Sequence, residues 1–177
     1  MIQRIMTAEE FAEQKYDLPD GGRWSELIAG EPLILEQPSD AHGNVIRNLA
    51  RALAQWIEEK ETGYACFELG IIVQRAPDTV LCPAVSYFVT GNRWDETDKV
   101  VTDAKPAVVM EVASTVDRRR RMPDRIALYR KAGIPVAIVI DPAEQKVAIH
   151  TEIDRVDVLS VGEVLAGQTD WVDEAHA

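Results

Sequence analysis

An acidic residue, Glu111, lies inside the apolar run VVMEVAS. An ionised carboxylate that is buried alone in such a strand is strongly unfavourable, unless it is paired or binds a metal ion. If a second acid converges on it, the pair can bind Mg²⁺ or Mn²⁺ through oxygen, and the ion can activate water beside a phosphate. The alternative is a structural ion pair between Glu111 and an arginine of the following helix.

A run of basic residues follows this strand. Residues 117–131 contain six arginines and one lysine against two aspartates, although the whole chain has a formal net charge of −11. Such an acidic chain is not expected to coat DNA non-specifically. We interpret the run either as a solvated helix end or as a local patch for nucleic acid or an acidic partner protein. The candidate DNA contacts that this run offers are Arg118, Arg119, Arg120 and Arg121.

The cysteines and histidines suggest no further chemical site. Cys66 and Cys82 have no partner at Cys-x-x-Cys spacing, and the three histidines form no ligand pair. Both cysteines fall in predicted strands, and the expected strand register places Cys66 nearer Tyr87 than Cys82. Two reduced thiols are therefore predicted rather than a disulfide or a zinc site.

Several elements must position Glu111. Thr7 and Glu10 match a capping box, and apolar residues at helical spacing predict a long helix over residues 41–60 that packs on a sheet. Strands are predicted over residues 66–74, 80–89, 107–114, 136–140, 146–151 and 156–159, and two short strands hinge near Gly30. The run 107–114 is apolar apart from Glu111, which is typical of a central strand, and strands 136–140 and 146–151 are expected to form a hairpin. Pro123 suits a first helical turn and Gly133 an end, which predicts a helix over residues 123–132.

These elements predict one α/β domain over residues 1–177, with a mixed β-sheet flanked by helices and a loosely held tail from about residue 166. No apolar run approaches the ~20 residues that a membrane span needs. The start of the chain, MIQRIMTAEEF, has no hydrophobic signal region, so a cytoplasmic location is expected.

The order of these segments resembles the PD-(D/E)XK nuclease fold, and more specifically the Uma-type family of restriction-endonuclease-like proteins. The segments that carry the resemblance are MTAEEF, SELIAGEPLILEQPSDAHGNVIRNLARAL and EVASTVDRRRRMPDRIALYRKAGIPVAIVIDP. The resemblance implies a restriction-endonuclease-like sheet, DNA as substrate, a Mg²⁺ or Mn²⁺ cofactor and a homodimer.

The resemblance also implies a set of site residues. The family's metal site uses an Asp of a Pro-Asp pair, a Glu of a Glu-Val-x-Ser run and a Lys four residues before a Tyr. Glu111 matches the Glu, and Glu26, in SELIAG, matches an additional upstream acid. Two positions differ, because Ala84 follows Pro83 and Arg125 stands four residues before Tyr129.

The two differences have chemical consequences. Ala84 offers no oxygen to a metal ion, and Arg125 cannot release a proton as a lysine can. Asp78 follows a proline but lies in a predicted turn, so it fits turn chemistry better than metal binding. We therefore expect an impaired nuclease, with Glu111 and Glu26 on any metal and Arg125 on the phosphate, or else a non-catalytic binding module.

Overall fold

The computed structural model describes residues 5–60, 63–92, 95–151 and 156–160. Three α-helices and eleven strands lie along them. They are α1 (Ala8–Gln14), β1 (Ser25–Ile28), β2 (Glu31–Ile34), α2 (Asp40–Lys60), β3 (Tyr64–Phe67), β4 (Gly70–Gln74), β5 (Thr79–Leu81), β6 (Val85–Phe88), β7 (Val101–Thr102), β8 (Val108–Val112), α3 (Val116–Lys131), β9 (Val136–Asp141), β10 (Lys146–Thr151) and β11 (Val156–Ser160). Two short 3₁₀ turns lie between α1 and β1. None of these helices has the length and apolar character needed to span a membrane.

The strands form two sheets. The main sheet has the order β11-β10-β9-β8-β6-β3, and the small sheet has the order β2-β1-β5-β4-β7. The pairs β8–β9 and β4–β7 are parallel, and all other described pairs are antiparallel. The predicted α/β class with a mixed sheet flanked by helices is confirmed.

Strand β8 is the central strand that its apolar run predicts, with β6 and β9 on either side. Val108 and Met110 face a core that the α2 side chains Leu49, Leu53, Trp56 and Ile57 cover. Val109 faces the opposite core, which contains Tyr129 of α3 and residues of the small sheet. Because side chains alternate along a strand, Glu111 lies on the Val109 face, between the main sheet and α3.

The two long strands predicted over residues 66–74 and 80–89 are each divided. The backbone of Glu68 has φ of 54°, a left-handed conformation that interrupts a strand, so β3 and β4 separate there. Pro83 has no backbone N–H, and β5 ends just before it at Leu81. As a result β3 and β6 join the main sheet, while β4 and β5 join the small sheet.

The helix predicted to begin at Pro123 in fact begins at Val116. Thr115 is its N-cap, since its hydroxyl accepts the Arg118 backbone N–H at 3.2 Å. Pro123 therefore lies inside α3, and the arginine run belongs to the helix. The predicted end is confirmed, because Gly133 has φ of 77° and donates its N–H to the Arg130 carbonyl.

Asp78 joins the turn before β5 to the start of α1. Its carboxylate accepts the backbone N–H of Ala8 at 2.8 Å, the N–H of Ala76 at 3.2 Å and the Arg75 guanidinium at 2.9 Å. These contacts fit the turn role that the sequence favours. The capping box of Thr7 and Glu10 is also present.

Asp78→Ala is expected to lower the free energy of unfolding by roughly 1–3 kcal/mol, because the buried N–H of Ala8 loses its acceptor. Urea denaturation measures the change. Glu9→Gln is the matched control, since it removes only the exposed partner of Arg75 and should cost less than about 1 kcal/mol. Equal losses in both variants would show that Asp78 does not anchor α1.

Candidate functional site

Two carboxylates from different sheets face each other between the main sheet and the small sheet. Glu111 lies on β8 and Glu26 on β1, and both are almost completely buried. The Glu26 Oε1 accepts the backbone N–H of Cys82 at 2.7 Å, which fixes one side of this group. The structure thus brings together Glu111 and Glu26, the two acids that the family resemblance selected.

The guanidinium of Arg125 lies between these carboxylates. Its Nε and Nη2 donate to Glu111 Oε1 at 2.9 and 2.6 Å, and its Nη1 donates to Glu26 Oε2 at 2.5 Å. Tyr129 follows Arg125 by one helical turn, on the same face of α3, and its hydroxyl donates to Glu111 Oε1 at 2.5 Å. The structural ion pair proposed for Glu111 is therefore present, and it includes a second acid. We call Glu26, Glu111, Arg125 and Tyr129 the ion-pair cluster.

The cluster has one cation for two carboxylates. Burial raises the pKa of Glu111, and the like charge of Glu26 adds to this rise, although Arg125 opposes it. Burial disfavours the charge of Arg125, but Glu111 and Glu26 outweigh it and raise the pKa of Arg125 well above its usual range. Burial and the nearby Glu111 also raise the pKa of Tyr129. Arg125 is therefore a permanent cation that cannot exchange protons with a reactant.

Ala84 lies beside the cluster, where its residue type matters. It lines a cavity of about 20 Å³ together with Glu111, Cys82, His42 and Arg118. A space of this size is enough for about one water molecule. An aspartate here would add a third carboxylate on the Glu111 side, but the methyl group of Ala84 offers no ligand atom.

These residues do not fit the Mg²⁺ or Mn²⁺ ion that the resemblance implies. Mg²⁺ requires an octahedral shell of oxygen ligands and usually keeps several waters. Here one oxygen of each glutamate is bonded to a guanidinium, and the adjoining cavity is small. Within the described ranges, no three His, Cys, Asp or Glu side chains come together as a ligand set for a metal.

The arginines proposed to contact DNA are mostly engaged within the protein. Arg125 and Arg118 are buried, so neither guanidinium presents its charge at the surface in this conformation. Arg119 donates to Asp141 at 3.4 Å. Arg120 and Arg121 both pair with Asp117, at 2.7 and 2.8 Å, and Arg120 is the most exposed of the run. The patch available to a partner is consequently smaller than the sequence indicates.

Several contacts at this site were missed in the sequence. They are the Tyr129 hydroxyl, the Cys82 backbone N–H, and the group of Trp24, His42 and Arg118 at the cavity. The spacing of Arg125 and Tyr129 could have indicated a shared helix face. Nothing in the sequence spacing places Trp24 5.6 Å from the Arg118 guanidinium or the His42 ring beside Trp24. Lys131, six residues after Arg125, donates to the Gln74 side chain at 3.0 Å and is not part of the cluster.

His42 gives the protein a predicted dependence on pH. Burial, and then the charges of Arg118 and Arg23, lower the pKa of His42 from 6.5 to about 4. Between pH 6.5 and about pH 4 the unfolded chain protonates the His42 imidazole, whereas the folded protein keeps it neutral. The free energy of unfolding is therefore unaffected by His42 above pH 6.5 and decreases as the pH falls towards about 4.

His42→Gln is expected to reduce this acid destabilisation, by up to about 1.4 kcal/mol for each pH unit below the ordinary pKa. Urea denaturation at about pH 7 and about pH 5 measures the difference. His150→Gln is the comparison variant, because its half-buried ring should make a smaller contribution. An unchanged pH dependence in His42→Gln would contradict the prediction.

Comparisons with known proteins place the chain in a nuclease context. The model of the Uma2 family, described as "Putative restriction endonuclease", matches residues 8–171. A crystal structure described as a putative nuclease belonging to DUF820, from Anabaena variabilis, has the same fold with a TM-score of 0.69. The two chains share 20% sequence identity, and the match covers 88% of this chain and 84% of the Anabaena variabilis chain. No curated protein matches.

Proposed function

Because the chain belongs to the Uma2 family of restriction-endonuclease type, we propose that it binds nucleic acid through a nuclease fold whose metal-dependent centre is inactive. The ion-pair cluster holds Glu111 and Glu26, the two acids that the resemblance assigns to a metal ion, on the guanidinium of Arg125 instead. The Asp and Lys of the family are replaced by Ala84 and Arg125. The function is then binding of DNA without hydrolysis.

One observation carries this proposal: the Arg125 guanidinium donates hydrogen bonds to both Glu26 and Glu111. Hydrolysis of a phosphodiester needs an activated water and a positive charge near the phosphate. Here the positive charge is neutralised by the two carboxylates and buried. The two carboxylates accept hydrogen bonds from Arg125, which makes them poor ligands for a metal ion and poor general bases for an attacking water.

Cleavage of a supercoiled plasmid in Mg²⁺ and in Mn²⁺ tests the proposal. The unmodified protein and Glu111→Ala are expected to be equally inactive. The Ala84→Asp, Arg125→Lys double variant is expected to gain cleavage, because it restores a carboxylate and a compact ammonium. Ala84→Asn, Arg125→Lys is the matched control, since asparagine has the shape of aspartate without its charge.

Two outcomes of this assay would change the conclusion. Cleavage by the unmodified protein that disappears in Glu111→Ala would contradict the inactive centre. The protein would then be a metal-dependent endonuclease. If no variant cleaves the plasmid, and a separate measurement shows no binding of the unmodified protein to DNA, the cluster has only a structural role. That result would contradict the nucleic-acid part of the proposal.

The homodimer, which the resemblance implies, and the cytoplasmic location stay predictions. Light scattering coupled to size exclusion measures the mass of the particle in solution and tests the homodimer. A monomer at all concentrations would contradict it.

A further inference from the structure

A second cleft, which we call the side cleft, lies next to the ion-pair cluster. Its volume is about 510 Å³, and its walls come from the turns after α1, the end of β3 and the loop before β7. It shares Arg23 and Glu68 with the small cavity beside Glu111. The side cleft therefore lies next to the small cavity beside Glu111, but Glu26, Glu111, Arg125 and Tyr129 do not line it.

A buried carboxylate in the side cleft has an unused oxygen. Glu96 is only 5% exposed, and its Oε1 accepts the Lys99 ammonium at 3.0 Å. The other oxygen, Oε2, is buried and has no hydrogen-bond partner in the described part of the chain. Buried acceptors are nearly always paired in folded proteins. Because Oε2 is closed to solvent in this conformation, an N–H donor of a ligand in the cleft would satisfy it once the Glu96 side chain turns towards the cleft.

Cations on the same walls select the rest of the ligand. Lys15 is buried, and its ammonium contacts the Cys82 thiol at 3.4 Å, a weak acceptor for a group with three donors. Lys99 and Arg23 also line the cleft. Lys99 is paired with Glu96, and Arg23 lies 3.8 Å from Glu68. The walls therefore carry three cations against two carboxylates, a small positive excess that attracts an anion such as a phosphate.

Two exposed aromatic side chains also line the side cleft. Tyr16 is 70% exposed and Phe67 is 41% exposed, both unusual for residues with so large an apolar surface. Aromatic side chains of this kind form stacking platforms for the bases of single-stranded nucleic acids. A planar ring, an N–H donor and a phosphate are therefore favoured together.

We propose that the side cleft binds an unpaired nucleotide whose base carries an exocyclic amino group. The amino group donates to Glu96 Oε2, the base stacks on Phe67 or Tyr16, and Lys15 and Lys99 contact the phosphate. The base must be unpaired, because duplex pairing engages the amino group and buries both faces of the base. This inference rests on the proposed function in one respect, that the chain binds nucleic acid.

Two pyrimidine strands separate the recognition of the amino group from the attraction of phosphate. Cytosine carries the N4 amino donor, and thymine has a carbonyl oxygen at that position. Fluorescence anisotropy with labelled oligodeoxycytidine and oligodeoxythymidine of about twelve nucleotides, in EDTA, compares them at equal charge. The unmodified protein is expected to bind the cytidine strand about tenfold more tightly, as one hydrogen bond to a charged group predicts.

Three variants assign the preference to the side cleft. Glu96→Gln is expected to bring the ratio of affinities close to one, because its amide can donate to the thymine carbonyl. Phe67→Ala is expected to weaken the binding of both strands while preserving the ratio of their affinities. Phe67 is exposed, so this variant should stay folded, which circular dichroism checks. Glu144→Gln removes an exposed carboxylate elsewhere and is expected to change neither affinity.

Equal affinity of the unmodified protein for both strands would overturn the inference, as would a preference that survives in Glu96→Gln. Absence of binding to either strand would also overturn it. Failure here is distinguishable from failure of the inactive centre, because the binding assay contains no divalent metal ion. Plasmid cleavage by the unmodified protein would contradict the inactive centre and leave the base preference intact.

Discussion

Arg125→Ala is expected to lower the free energy of unfolding by about 3–5 kcal/mol, which is typical when one partner of a buried ion pair is removed. Glu26 and Glu111 would then face each other without a cation, in a site that excludes most water. The Tyr129 hydroxyl would remain as a donor to Glu111, but it cannot neutralise two charges. Urea denaturation at neutral pH measures the loss.

Arg120→Ala is the matched control, because it removes an arginine of the same helix whose pair with Asp117 is exposed. Its expected cost is at most about 1 kcal/mol. The triple variant Glu26→Gln, Glu111→Gln, Arg125→Met should recover much of the stability, since no unpaired charge remains buried. A loss below about 1 kcal/mol in Arg125→Ala would contradict the buried bridge.

The Ala84→Asp, Arg125→Lys variant is expected to gain stability from Mn²⁺, whereas the unmodified protein gains none. In this variant three carboxylates face a lysine, whose single ammonium cannot bridge Glu26 and Glu111 as the guanidinium fork does. The excess negative charge favours a divalent cation. Binding to the folded state alone would stabilise it by about 2.7 kcal/mol at a hundred times the dissociation constant.

Thermal denaturation with and without Mn²⁺ measures this gain, and Ala84→Asn, Arg125→Lys provides the control without the third carboxylate. The double variant should be less stable than the unmodified protein when no metal is added, because a buried carboxylate is then uncompensated. An equal gain from Mn²⁺ in the unmodified protein would show that Arg125 does not prevent metal binding. If Mn²⁺ does not stabilise the double variant, then Ala84 and Arg125 do not account for the loss of metal binding.

The elements with strong apolar periodicity were predictable from the sequence. Helix α2 was placed to within a residue, because its stripe of Leu49, Leu53 and Trp56 packs on the main sheet as its spacing requires. Strand β8 was recognised as central because its run is apolar on both faces, apart from Glu111. The hairpin of β9 and β10 was also predicted at nearly its observed bounds.

The errors arose where a local signal competed with another. Pro123 indicated a helix start, but the cap at Thr115 begins α3 seven residues earlier, and the helix tolerates the proline in its interior. The strands around residues 68 and 83 appeared continuous, since their apolar pattern continues across each break. Which of the two sheets a strand joins depends on long-range pairing, which a single sequence does not contain.

Part of the site followed from residue types. The acid inside an apolar strand selected Glu111, and an ion pair of Glu111 with the next helix was one of its two alternatives. The family resemblance added Glu26 and Arg125. The sequence could not show that one guanidinium would reach both acids, because that depends on the distance between β1 and α3. The side cleft was also missed, because its walls come from segments far apart in the chain.

A crystal structure of the unmodified protein grown in millimolar Mn²⁺, with diffraction recorded at the manganese absorption edge, tests the central claim most directly. The ion-pair cluster predicts no anomalous peak between Glu26 and Glu111, with the Arg125 guanidinium within hydrogen-bond distance of both. An anomalous peak bonded to the two carboxylates, with Arg125 displaced, would contradict the replacement of the metal centre by an arginine.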